Sequence, residues 1–159
     1  MVDVSHKPPT LRRAVASARI LLGPHAFPLV ASNQLSKGDV LTVAQIAGIN
    51  GAKATSALIP LCHNVPISNV GVTLSLDHDR CAVAVRAEAS TVAGTGVEME
   101  ALTAAAVAAL TVYDMCKGVS KGIEIEWKLQ FILAAAAGHG MRPQQKTASM
   151  SGRMWRYCS

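Results

Sequence analysis

At 159 residues, half of them apolar, the chain has the size of one domain with a full hydrophobic core. Its net charge of +5 is local: Arg142, Lys146, Arg153 and Arg156 follow Gly140 where there is no acid, leaving 11 bases against 10 acids over residues 1–140. With 4% aromatic residues and no basic stripe in the body, the composition argues against nucleic-acid binding, and apolar runs such as Ala104–Leu110 are too short to span a bilayer.

The opening Met1-Val-Asp-Val-Ser-His-Lys7 has neither the apolar core of a signal peptide nor the Arg- and Ser-rich texture of a transit peptide, so the chain reads as soluble and without membrane contact. Arg12 to Leu22 alternates, with Ala14, Ala16, Ala18 and Ile20 on one side, and predicts a strand. Gly23-Pro24 closes it, and a short helix through Leu29 to Asn33 follows with Pro28 in its first turn. Asp39 is placed to cap a longer helix from Val40 to about Leu58, stopped by Pro60. The breakers from Leu61 to Ile67 predict irregular chain. Ser68–Leu76 and Cys81–Ser90 alternate around the turn Asp77–Arg80 and predict a hairpin.

Gly94-Thr-Gly96 then leads into a long helix that ends near Lys117-Gly118, and Ile123 to Leu133 returns to a β-like pattern. The order is β-α-β-β-α-β with one extra helix in the first crossover. That order predicts an α+β ferredoxin-like βαββαβ sandwich, an antiparallel sheet with helices on one face. The body spans residues 1–133. Residues 134–159, rich in Gly, Gln, Ser, Met and Arg without periodicity, predict a disordered tail.

Two stretches set ionisable groups among Ala, Val, Leu and Ile, where a charge is costly unless paired, solvated or used. On the long helix, with Glu100 as origin, Thr103, Thr111 and Asp114 fall at about −60°, +20° and −40°. They form one polar stripe with Lys117 near its edge. A solvated face with an i,i+3 pair between Asp114 and Lys117 is the plain alternative. Against it, solvent faces are normally rich in long charged side chains, and this one carries Thr. Gly94-Thr-Gly96 offers backbone N–H groups to an anion or is a simple turn. Cys62, Cys81, Cys116 and Cys158 have no CxxC or zinc spacing and read as reduced thiols, with no metal site.

Taken as words in order, Met1-Val-Asp-Val-Ser5, Lys37-Gly-Asp-Val40, Ile46-Ala-Gly48, Ala52-Lys53, Leu58-Ile-Pro-Leu-Cys-His63, Thr95-Gly-Val-Glu-Met-Glu-Ala-Leu-Thr103 and Tyr113-Asp-Met-Cys-Lys117 closely resemble the MoaC family. These are the cyclic pyranopterin monophosphate synthases of molybdenum cofactor biosynthesis. The resemblance covers about residues 1–128. Wording near Leu22-Gly-Pro24 and Val43-Ala-Gln45 is similar to the animal branch, which implies the mitochondrial matrix; a bacterial origin would imply the cytoplasm.

The resemblance implies a hexamer built as a trimer of dimers, with the site at the dimer interface. It implies a lyase whose substrate is a cyclised dihydroguanosine triphosphate (3',8-cyclo-7,8-dihydro-GTP) made by a radical-SAM GTP cyclase, with pyrophosphate released. No cofactor is implied beyond Mg²⁺ accompanying the triphosphate. By position, Asp114 and Lys117 would be the catalytic acid/base core. Lys37, Lys53, Leu61, Cys62, His63, Glu98, Met99, Glu100 and Arg12 would bind or surround the substrate.

One segment departs from the family pattern. Where the family has a Lys followed by Gly-Gly and another base, this chain reads Gln130-Phe-Ile-Leu-Ala-Ala-Ala-Ala137 after Lys128-Leu129. That departure opens a second reading, a non-catalytic isoform that keeps the fold and its contacts and modulates the active form or its radical-SAM partner.

Overall fold

The computed structural model describes residues 1–130 and 152–154. The elements run β1 (Thr10–Leu21), α1 (Gly23–Ala31), α2 (Val40–Lys53), α3 (Thr55–Leu58), β2 (Asn69–Asp77), β3 (Ala82–Ala93), α4 (Glu98–Cys116), β4 (Glu124–Gln130) and β5 (Gly152–Met154). The strands form one antiparallel sheet in the order β2-β3-β1-β4-β5. The expected ferredoxin-like sandwich is therefore the observed fold. The tail expected from 134 onward lies outside the described residues, apart from Gly152–Met154, which pair with Ile125–Trp127 of β4.

Alternation fixes which side of the sheet is buried. Ala14, Ala16, Ala18 and Ile20 of β1 share a face with Val83, Val85, Ala87 and Ala89 of β3, and all eight are buried. The opposite face carries ion pairs. Glu88 is held by Arg13 at 2.6 Å and by Arg86 at 3.0 Å. Arg19 reaches Asp77 at 3.5 Å, and Arg80 clasps both carboxylate oxygens of Glu126 at 3.1 and 3.2 Å. The Arg80 clasp joins the β2–β3 turn to β4 across β1.

Two helix expectations need correction. The first helix starts at Gly23, well before the expected first turn at Pro28, with Pro24 in its first turn and Pro28 in its interior. Pro24 suits a helix start because its missing N–H is unpaired there anyway, and buried Ala26, Phe27 and Val30 give the helix its apolar face. The carbonyl of Pro28 accepts both the Ser32 amide at 3.0 Å, the ordinary helical bond, and the Ser32 hydroxyl at 2.8 Å. The second helix breaks at Ala54 and resumes as the single turn α3. There the Ala54 amide reaches back to Gly51 O at 3.1 Å as well as to Asn50 O, and the buried Thr55 hydroxyl also bonds Gly51 O, which tightens the chain out of the α-helical path.

α2 and α4 run antiparallel in close contact. A Cβ at Gly48 would stand 2.9 Å from Ala104 O and 3.1 Å from Ala108 Cβ, and one at Gly51 would stand 2.8 Å from Val107 Cγ2. Length and composition would let α4 cross a membrane; here its Ala101, Ala104, Ala105, Ala108, Ala109 and Val112 are buried in the core. Helix propensity favours Ala over Gly by about 1 kcal/mol, while a methyl forced against backbone costs about 1–3 kcal/mol. Packing wins at this site: Gly48→Ala is expected to lower unfolding free energy by about 1 kcal/mol, the middle of that difference, in urea titrations, and an unchanged midpoint would show that the helices separate freely.

Candidate functional site

The site residues fall into two groups at opposite ends of the α2–α4 pair. At one end, just before α2, Gly38 takes φ +92°, a conformation natural to glycine, and Asp39 caps α2 by accepting from the Thr42 amide at 3.0 Å. That corner aims Lys37 at the last turn of α4. Its Nζ donates to Asp114 Oδ2 at 2.7 Å and to the Asp114 carbonyl at 3.0 Å. Lys117 closes the group from the other side, its Nζ 2.6 Å from Asp114 Oδ1.

One carboxylate thus sits between two ammonium groups, each about half exposed. The hydrogen bond from Lys117, and then that from Lys37, pull the Asp114 carboxyl down from 3.8 to about 2. The same bond holds the Lys117 ammonium above its usual range. The group carries net positive charge toward solvent, with an ionised carboxylate fixed between two proton donors. The neighbouring Cys116 thiol is buried, and burial pushes it up to about 11, so it stays protonated.

The other end gathers Cys62, His63, Glu98, Met99 and Glu100 around the start of α4. Glu100 is 3% exposed, and its Oε2 is buried without a hydrogen-bond partner. Burial, reinforced by the Glu98 carboxylate, raises its pKa above the ordinary carboxylate range. The Glu98 carboxylate folds back over Gly96, filling the space a side chain there would need. Burial also raises the Cys62 thiol, with Glu100 and Glu98 adding to it, so Cys62 offers a neutral S–H. His63 Nε2 lies 2.7 Å from the carbonyl of Val2.

Three further expected residues have surroundings of their own. Lys53 lines an open cavity of about 500 Å³ with Ile49, Val65, Ile67, Ser68, Asn69 and Val70. Leu61 is exposed. Arg12 points its Nε into the fold without a partner, opposite Thr91 of β3. The polar stripe on α4 is also not the uniform face that the helical angles suggest. Glu100 and Thr103 are buried, the Thr111 hydroxyl returns to Val107 O at 2.7 Å, and Asp114 alone of the four is exposed. Among the described residues, no three His, Cys, Asp or Glu side chains gather as metal ligands.

Sequence reasoning missed Val2. It contributes a backbone carbonyl, which leaves no mark in residue type.

The depressed pKa makes the Asp114 contribution to stability complete above 3.8 and lost as pH falls toward about 2. Replacing Lys117 or Lys37 by Met is expected to move the Asp114 midpoint back toward 3.8, with Lys117 giving the larger shift. A carboxyl-carbon NMR titration reads this directly; a midpoint that stays near 2 would mean the lysines do not set it.

Comparison with known proteins shows what the chain is similar to. The family model described as "MoaC family" matches residues 1–131. The chain is 62% identical over 126 residues to "Molybdenum cofactor biosynthesis protein 1" of Homo sapiens, covering 79% of this chain and 20% of that protein. It is 57% identical over 125 residues to "Cyclic pyranopterin monophosphate synthase, mitochondrial" of Arabidopsis thaliana, covering 79% and 46%. To "Cyclic pyranopterin monophosphate synthase" of Salinibacter ruber it is 54% identical over 125 residues, covering 79% and 74%. The chain spans about a fifth of the length of its animal relatives. Over its matched residues it belongs to the MoaC family.

Proposed function

We propose that the chain is a cyclic pyranopterin monophosphate synthase, converting the cyclised dihydroguanosine triphosphate to cyclic pyranopterin monophosphate and pyrophosphate. The observation that carries this reading is the Lys37–Asp114–Lys117 group, a carboxylate held ionised between two ammonium donors on an accessible surface. Opening the imidazole ring of the base and closing the pyrazine ring require protons to move in both directions. An ionised carboxylate beside protonated amines supplies both senses of transfer. Forming the cyclic phosphate expels pyrophosphate, whose growing negative charge the lysines stabilise.

The separation of the two groups supports a site shared by two copies. Asp114 lies 14 residues beyond Glu100 on α4, about 21 Å along a helix at 1.5 Å per residue. That is too far for one protomer to use both groups on a single reacting ring. An isologous pair whose two-fold axis lies across α4 would lay the two copies of that helix head to tail, so that each acid–lysine end meets the partner's His–Glu end. Val43, Ile46, Leu58, Leu61 and Leu110, all large and exposed, give the helical layer an apolar surface suited to such contact. Assembly of such pairs into a hexamer, and supply of the substrate by a radical-SAM cyclase, belong to the same reading.

Asp114→Asn is nearly isosteric and is expected to preserve the fold while lowering turnover by about 10²–10⁴. His63→Ala is expected to be impaired as well. Mixing the two variants by co-refolding at equal amounts is expected to restore about a quarter of the unsubstituted rate, since half the pairs are mixed and each mixed pair regains one intact site. No recovery on mixing would place the whole site within one chain. Grafting the family's Lys-x-Gly-Gly segment after Leu129 is expected to raise the rate, because a lysine fixed at a strand end meets the substrate with set orientation. Equal rates would show that lysine to be dispensable.

A further inference from the structure

The N-terminal segment has two independent contacts with the candidate site. The first is the Val2 carbonyl, 2.7 Å from His63 Nε2. A carbonyl oxygen only accepts, so Nε2 carries the hydrogen, and in the neutral ring Nδ1 is left with the lone pair. The second is Gly94, where a Cβ would stand 3.1 Å from Lys7 O and 3.2 Å from Val4 O. Both obstructions are backbone atoms, so the segment lies on the first glycine of the Gly94-Thr-Gly96 turn only because no side chain is there.

Internal bonds hold the segment in shape. The Lys7 amide donates to Val4 O at 3.0 Å, and the Ser5 amide donates to Asp3 Oδ1 at 2.9 Å. Its side chains are exposed except for the half-buried Val4, so apolar burial does little to set its path. Backbone polar contacts and the gap at Gly94 set it instead, and β1 begins three residues later, with Thr10 opposite Ala93.

We propose that Val2–Lys7 is a positioning strap for His63. Seated on Gly94, it holds the imidazole as the Nε2–H tautomer and leaves Nδ1 as the ring atom able to accept an N–H, or take a proton, from the bound purine-derived ring. Without the strap the two tautomers interconvert, and only part of the population offers the acceptor. The benefit to turnover rests on the function proposed above, whereas the tautomer is a property of the ligand-free chain.

Long-range ¹H–¹⁵N NMR of the full ¹⁵N-labelled chain in alkaline buffer, where imidazole is neutral, tests it. His63→Asn identifies the signals by their loss. The unsubstituted chain is expected to show a protonated Nε2 and an unprotonated Nδ1 at His63. Deleting residues 1–3, or lifting the strap with Gly94→Val, is expected to bring the two nitrogens toward a common averaged shift. Both variants are expected to lose turnover about tenfold, the scale of a misoriented group. Circular dichroism confirms that each variant is folded. A His63 signal pattern unchanged in both variants, or a protonated Nδ1 in the unsubstituted chain, overturns the strap. A pattern that changes as expected in a chain without turnover would uphold the strap and count against the enzymatic reading alone.

Discussion

The close approach of α2 to α4 is the constraint on which the other features depend. Two glycines on α2, one against the Ala104 carbonyl and one against Val107, let the helices touch with little side-chain spacing. Only at that distance does Lys37, carried on the corner before α2, meet the last turn of α4. The same packing sends the start of α4, with Glu98 and Glu100, to the other end of the layer. Charge pairing and the separation of the two groups are thus both outcomes of one steric fit between small residues.

That fit also explains how polar groups persist in so apolar a helix. Asp114 is kept ionised by partners it gains at the surface, while Glu100 sits in the fold with one oxygen unpaired and is driven toward its neutral form. Two carboxyls on one helix therefore take opposite protonation behaviour from their surroundings alone. Divergent environments of this kind separate acid from base roles when a reaction needs both.

Much of the fold was legible because alternation and 3.6-residue spacing follow directly from burial. β1, the hairpin and α4 were found within a few residues. α1 was misplaced because Pro24 and Pro28 are identical as letters, while one starts a helix and the other is tolerated within it. The break at Ala54 depends on bonds to Gly51 O, which residue identity does not reveal. Within the candidate site, the i,i+3 pairing of Asp114 and Lys117 followed from helical geometry. The contact of Lys37 with Asp114 joins residues 77 apart and needs the tertiary fold. Spacing likewise could not show that Glu100 and Thr103 face inward, since the angle between residues says nothing of where the core lies.

The Arg80–Glu126 clasp has a consequence for how the chain tolerates change. Together with the pairing of Leu21 to Glu124 and Ala18 to Trp127, it secures β4 to the body before Lys128 is reached. The framework is thus closed by its own ion pairs and ladder bonds before β4 ends, so a substitution beyond Gln130 need not part β4 from β1.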